Sequence, residues 1–484
     1  MLSFNRMMTA LNLLEDWNPI KEALHMLKSD RKKEMWMTET NKAIIIGGGI
    51  AGKLAARVLS DKFKEVIILE KDQKSMDPTP RKGARQGEHL HALLHAGQYG
   101  MEELFPGITE KFYSSGAIKI NSTMDLSWYH HGGWKLRYDG GYTTTLQTRP
   151  HLEYHIEQYL EQIPNITSKY QVTVKNFLYQ TDEYRINGVK IQLPNKKTEQ
   201  IYADLIVDTS GATSLTSTWL HKKGITIPQE KVEIGLTYVS QKFNLPENPK
   251  RDWKIKLIYP NPPQEKVGGT ISKVEGDQYI VTMIGYLNAI SEKEIIKKDD
   301  GFLELAKKLP KLDIYHELLH ATPLTNPSIY RVPQIKWKRI DKVKAFPSGL
   351  LLMGDTICRI DPVFGQGMSI AVLEALALQK ILQEQKGSLQ ETITAFHNKV
   401  AKIIAPIWKM VITEDFRYPD IIGKKPIELK IQQWYAKQIY LLSTEKRDIY
   451  DHFIKVMNLV EPISFLMKPR ILGSVLRLRR IFVK

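Results

Sequence analysis

Apolar positions in this chain come in two textures, short β-branched runs that end in glycine and longer stretches with helical spacing. Lys42-Ala43-Ile44-Ile45-Ile46 leads into Gly47-Gly48-Gly49-Ile50-Ala51-Gly52 and then into Lys53-Leu54-Ala55-Ala56-Arg57-Val58-Leu59. That order predicts a strand, a tight turn and a helix. Residues 65–70 form a second buried run ending in an acid, and residues 203–208 a third, ending in Asp208 and a turn at Gly211. A fourth run, Gly349-Leu350-Leu351-Leu352-Met353, ends in Gly354-Asp355. It is followed by Pro362-Val363-Phe364-Gly365-Gln366-Gly367-Met368-Ser369 and by Ala, Leu and Glu at helical spacing over 370–382. Residues 231–239 and 278–286 instead alternate like a sheet with one covered face. From Leu389 onward the pattern is helical.

These textures predict an α/β (α+β) chain. Residues 1–40 form an N-terminal extension, and residues 41–229 with 346–388 form a discontinuous Rossmann-like cofactor domain that carries part of the substrate surface within 85–150. Residues 230–345 form an inserted β-rich substrate domain, and residues 389–484 a helical, basic region. The glycine turn carries the first chemical signal. Gly47 permits the turn, Gly49 lets backbone approach a pyrophosphate, and Gly52 lets helix and strand pack closely, while the helix N-terminus offers N–H groups and positive dipole. Glu70 lies 18 positions beyond Gly52, the spacing of a carboxylate that accepts ribose hydroxyls. An ordinary glycine-rich turn does not account for Glu70. The second glycine-led helix, after Gly367, points to a ligand with two anionic or electron-rich ends.

Composition narrows the class. The chain has 484 residues, 42% of them hydrophobic, and 69 Lys+Arg against 53 Asp+Glu, a formal charge of +16. Residues 421–484 hold 13 lysines and arginines against 5 acids, so half the excess is C-terminal. No zinc-finger, RNA-binding or helix-turn-helix pattern accompanies the charge, which argues against nucleic acid. One cysteine, Cys358, allows no intramolecular disulfide and fits a reducing, cytoplasmic setting. No apolar run of about 18 residues and no secretory leader pattern is found. Residues 475–484 alternate apolar and cationic side chains, as suits an interfacial segment on anionic lipid and a peripheral membrane position. Of His89, His91 and His95, the last two are spaced i,i+4, but no clear third ligand stands at metal-site spacing, so no metal is expected. Cys358 reads as a buried, inert thiol, and Trp128, Tyr129, His130 and His131 as core aromatics without a role.

Together the three glycine-containing segments resemble the FAD-dependent aromatic hydroxylases and epoxidases that share the glutathione-reductase-type FAD fold. More specifically, Arg85-Gln86-Gly87-Glu88-His89-Leu90-His91-Ala92-Leu93-Leu94, Glu103-Leu104-Phe105-Pro106-Gly107, residues 362–369, Met457-Asn458-Leu459 and Lys468-Pro469-Arg470-Ile471-Leu472 resemble a bacterial branch that includes polyether-type polyene epoxidases. One departure is that residues 212–215 hold no arginine, which that branch usually carries after Gly211.

The resemblance implies FAD as cofactor. Gly47, Gly49, Ile50, Ala51, Gly52, Glu70 and Lys71 would hold its ADP half, Val174 would meet the adenine through backbone, and Arg149 would contact FAD from a helix start. Asp208 and Gly211 would serve FAD and the nicotinamide donor, and Asp355 the ribityl chain. Pro362, Gly365, Gln366, Gly367 and Met368 would lie against the isoalloxazine ring, and Arg81 and Arg85 fall where related enzymes contact flavin or donor. It further implies that NADPH or NADH reduces FAD, that O2 adds to the reduced ring, and that the C4a-hydroperoxyflavin epoxidises or hydroxylates a hydrophobic polyene, terpenoid or aromatic substrate. No protein side chain is needed as catalyst, because the flavin carries the chemistry. A flavoenzyme reducing double bonds without oxygen insertion is the alternative, and a lipid-associated, non-catalytic nucleotide-binding protein the third reading. The Trp-x-Trp-x-Ile-Pro signature of flavin halogenases is absent.

Overall fold

The computed structural model describes residues 41–291, 293, 295, 300–384 and 387–482. The extension over residues 1–40 lies outside them, as do the side chains of Arg85 and of residues 478–484, which include the basic end of the interfacial segment.

The β-branched runs pair into one parallel sheet of five strands, in the order Leu350–Leu352, Leu205–Asp208, Lys42–Ile46, Glu65–Leu69, Ile166–Lys169. Its inner strands are apolar at nearly every position because they are buried on both faces, with helix Ile50–Leu59 and strand Arg185–Gln192 among the elements packed on them. The register aligns the strand ends. Ile46 pairs with both Asp208 and Leu69, and Asp208 with Leu352, so these strands end on one row. The turns at Gly47, Glu70, Thr209 and Met353-Gly354 therefore leave the same edge, the place where open parallel sheets bind ligands. Helix Ile50–Leu59 starts at the first turn and packs against helix Gly367–Glu384, which starts beyond the last. An antiparallel sheet of Thr173–Gln180, Arg185–Gln192 and Thr198–Tyr202 flanks this unit.

A larger sheet forms the second layer. From Cys358–Arg359 it runs through Ser328–Lys338, Gln229–Asn244, Tyr279–Gly285, Val267–Lys273 and Ile255–Ile258 to Leu126–His130 and Gly133–Trp134. It thus draws strands from both sides of residues 230–345. The alternation in the sequence implied one covered face, but Tyr279–Gly285 is buried at every position. The reason is that Phe302, Leu305 and Ile314, from two short helices, cover Val281 and Met283 on one face, while Ile284 joins the cofactor-domain core on the other.

Helix Leu389–Asp415 begins with a reciprocal capping box between Ser388 and Glu391, a device that contributes about 1 kcal/mol. Helices Leu429–Leu442, Arg447–Met457 and Pro469–Phe482 follow, and their buried Tyr440, Tyr450, Phe453 and Val475 share a core with Trp128 and Ile255 of the large sheet. Among the described residues no helix is long and apolar enough to cross a membrane.

Candidate functional site: a nucleotide and flavin cleft

A cleft of about 410 Å³ opens at the edge where the parallel strands end. At its phosphate end Gly47 adopts φ +101°, and a β-carbon at Gly52 would lie 1.9 Å from the Gly47 carbonyl oxygen, so only glycine lets the helix sit this close to the turn. No side chain caps the helix at Gly49, which leaves its first-turn N–H groups to the cleft. The Glu70 carboxylate accepts from Gly48 N at 2.7 Å and Asp72 N at 2.9 Å and lies 3.3 Å from Arg81. It is locked in place with lone pairs to spare for a hydroxyl donor.

Behind this edge runs a buried ionic chain. Arg81 also pairs with Glu153 at 2.5 Å, Arg149 meets the other Glu153 oxygen at 2.6 Å, and Lys53 reaches Glu157 at 2.9 Å. Burial disfavours the Glu153 charge, yet Arg149, Arg81 and Lys53 outweigh it and bring its pKa down to about 2. Burial likewise works against the Arg81 cation, but Glu153, Glu70 and Asp72 hold its pKa above the ordinary value. Glu153 and Arg81 therefore hold each other in their charged forms, and Arg149 projects from the network into the cleft.

Three contacts that sequence reasoning missed tie the segments together. Thr209 Oγ1 donates to the carbonyls of Ile46 and Gly47 (2.8 and 2.9 Å), Gly211 N donates to Thr356 Oγ1 (3.0 Å), and Gly354 N donates to the buried Glu374 (2.7 Å). Only a threonine following an acid at a strand end hinted at the first, and nothing local hinted at the others.

The family model described as FAD binding domain matches residues 40–394. The chain belongs to that family. Protein Rv3254 of Mycobacterium tuberculosis (strain ATCC 25618 / H37Rv) is 28% identical over 387 residues, covering 78% of this chain and 80% of that protein. Among solved structures, p-nitrophenol 4-monooxygenase PnpA from Pseudomonas putida DLL-E4 superposes with a TM-score of 0.62 at 16% identity over 87% of this chain and 98% of that one. The flavin-dependent brominase Bmp2 gives 0.62 at 14% over 86% and 93%. The fold is thus shared by flavin-dependent monooxygenases and halogenases, and the chain is an FAD-dependent oxidoreductase.

The cleft fits FAD. At Gly49, Gly211 and Gly367 a β-carbon would meet nothing within 4 Å, so backbone lies bare along the line joining the two helix N-termini. Gly47, Gly49, Ile50, Ala51, Glu70, Lys71, Arg81, Arg149, Val174, Gly211, Asp355, Pro362, Gly365, Gly367 and Met368 all line it. Gly52, Asp208 and Gln366 stand behind the lining. Asp208 is fully buried and accepts from Ser210 N (2.9 Å), Ser214 Oγ (2.5 Å) and the Thr216 hydroxyl, so it shapes the second turn from within. Gln366 donates to the Met457 carbonyl at 3.3 Å, anchoring the third turn to the C-terminal helices.

At the ring end the lining turns aromatic and apolar, with Leu90, Tyr238, Tyr330, Ile360 and Met368. His91 lines this part too. Burial and then Arg149 bring its pKa down to about 3, so the imidazole is neutral. The three histidines considered as ligands diverge: His89 Nδ1 meets Ser240 Oγ at 2.7 Å, His91 the Gln86 carbonyl and His95 the Thr143 carbonyl. Among the described residues one group has ligand atoms within 4.8 Å of one another, His130, His131 and Glu414. Arg417 bonds both Glu414 oxygens, at 2.7 and 2.9 Å, which supplies the positive charge that a metal would bring. Cys358 is buried and borders the cleft, and burial, then Glu374, push its thiol pKa well up, leaving it protonated. Asp361 caps the 362–364 turn through Val363 N at 2.9 Å and accepts from Tyr286 Oη at 2.7 Å.

Proposed function

We propose that this oxidoreductase is a monooxygenase that uses NADPH or NADH and O2 to hydroxylate or epoxidise an apolar aromatic, terpenoid or polyene substrate. The observation that carries the reading is the ring end of the cleft, where the first turn of helix Gly367–Glu384 faces a wall of Tyr238, Tyr330, Ile360 and Leu90. FAD, when bound, supplies the hydride acceptance and the oxygen activation. This chain's residues supply the setting. The N–H groups and dipole at Gly367 and Met368 would stabilise negative charge on a ring held against them. Asp355 faces the cleft as an acceptor for hydroxyls, Tyr259 fixes the turn by donating to the Val363 carbonyl at 2.9 Å, and the apolar wall excludes water from the reacting oxygen.

The test is NADPH- and NADH-dependent oxygen uptake by the FAD-loaded protein with apolar candidates, with ¹⁸O₂ tracing the product. Labelled product is expected. Turnover under strict anaerobiosis with reduction of a double bond would replace this reading by the reductase alternative. Asp355→Ala should weaken FAD binding about tenfold or more, the worth of a hydrogen bond to a charged acceptor. Unchanged FAD affinity, read by flavin fluorescence during dilution, would remove Asp355 from the site.

A further inference from the structure

The C-terminal helices enclose a second cavity, about 140 Å³, that shares no lining residue with the FAD cleft. Met410, Ile439, Phe453, Val456, Met457 and Leu466 give it an apolar wall. Its polar side chains are largely spent on neighbours. Tyr435 Oη donates to the Leu466 carbonyl (2.6 Å), Thr413 Oγ1 to the Lys409 carbonyl (2.7 Å), Gln432 Nε2 to the Ile427 carbonyl (3.1 Å), and Glu414 is held by Arg417. Recognition here rests on burial of hydrocarbon. The volume matches that of cavities of about 150 Å³, which stay dry and accept a benzene-sized group.

The cavity's two ends give it a direction. Inward, Tyr440 packs 4.4 Å from the His130 ring, His130 packs 5.4 Å from Tyr259, and Tyr259 bonds the Val363 carbonyl of the flavin turn. Met457, in the cavity wall, is bonded by Gln366 of the same turn. Three rings in series, Tyr440, His130 and Tyr259, thus connect the cavity wall to the 362–364 turn at the edge of the FAD cleft.

Outward, Glu428 and Ile431 form the lip, and the segment leading to them carries Ile422 and Ile427, exposed by 65% and 87%, while Ile431 is 38% exposed. Lys424, Lys425 and Lys430 are exposed on that segment, and Lys468 and Arg470 are exposed just past Met467 on the opposite wall. The acids of this face are fewer than its cations: Asp420 lies 4.0 Å from Lys266, Asp448 lies 3.3 Å from Arg470, and Glu428 stands at the lip. Isoleucines standing in water among lysines match an anionic bilayer, which buries the former and neutralises the latter.

We propose that residues 422–431 dock on an anionic lipid surface and that the cavity takes the apolar end of the substrate directly from it. The fate of the ligand rests on the monooxygenase reading, whereas docking and capture do not.

The experiment uses FAD-loaded full chain and two readouts without turnover. In sedimentation with phosphatidylglycerol-containing vesicles, Lys424→Glu with Lys425→Glu should weaken binding at least about tenfold, given roughly 1 kcal/mol per surface cation. Ile427→Asp should weaken it as well, and pure phosphatidylcholine should bind poorly. Equal binding by both variants overturns the docking. In calorimetry with toluene, Ala436→Trp, which fills the cavity, should abolish binding, and the milder Ala436→Leu should reduce it, with FAD content as the check on folding. Toluene binding as tight as in the parent chain overturns the capture site. A chain that docks and binds toluene yet takes up no oxygen with NADPH refutes the monooxygenase and upholds the docking, and the converse result refutes the docking alone.

Discussion

At the phosphate end of the cleft, Gly47, Gly49, Gly52 and Glu70 come from one strand–turn–helix–strand unit; at the ring end, Leu90, Tyr238, Tyr330, Asp355 and Met368 come from five separate parts of the chain. The first end is a backbone solution, with steric permission at Gly52 and N–H groups at a helix start. The second is a side-chain solution, in which the second and third turns are held by Thr209, Thr356 and Glu374 and the wall is supplied by another sheet. A ligand that spans both is gripped by local geometry at one end and by tertiary packing at the other.

Substitutions at the two ends should therefore fail in different ways. The largest effect is expected from Gly52→Val, whose side chain cannot coexist with the Gly47 carbonyl 1.9 Å from the β-carbon; the purified protein should lack flavin absorption. Asp208→Ala, between the two ends, leaves the Ser210, Ser214 and Thr216 donors unmatched and should cost about 3 kcal/mol in urea unfolding.

Glu374→Gln probes the ring end through pH. Burial raises the Glu374 carboxyl from 4.5 to about 8, with Asp355 adding to the rise and the Gly354 N–H opposing it. The folded chain therefore binds a proton that the unfolded chain has lost between those values, and this contribution to stability falls as pH rises through the window. The glutamine has no such slope. Its melting temperature relative to the parent should increase from about pH 5 to about pH 8, and parallel pH profiles would contradict the assignment. The smallest effect is expected at the rim of the phosphate end, where Lys74 and Glu161 are both nearly half exposed; Lys74→Ala should cost less than about 0.5 kcal/mol.

Legibility in the sequence follows the same divide. Gly47, Gly52 and Glu70 could be read because turn, helix and strand are local, and Asp355, Gly365 and Gly367 because each sits at a strand or helix end. Thr356 and Glu374 could not, since their roles depend on Asp208 pairing with Leu352 and on the helix after Gly367 running back under Gly354. Trp128 and His130 read as core aromatics; Trp128 is buried in the core, and His130 is half-buried beside it. The structure adds that they stack with each other and that His130 meets Tyr259 and Tyr440, between the C-terminal cavity and the flavin turn.

The α/β class, the three glycine turns and the FAD-binding family were all legible in the linear chain, because they are written in hydrophobic period, glycine placement and strand-terminal acids. Packing in three dimensions settled which turns share an edge, which side chains reach the cleft and which stand behind it, and that the basic C-terminal region surrounds an apolar cavity. Strand register and helix packing bring together groups hundreds of residues apart, and neither periodicity nor composition along the chain encodes that distance.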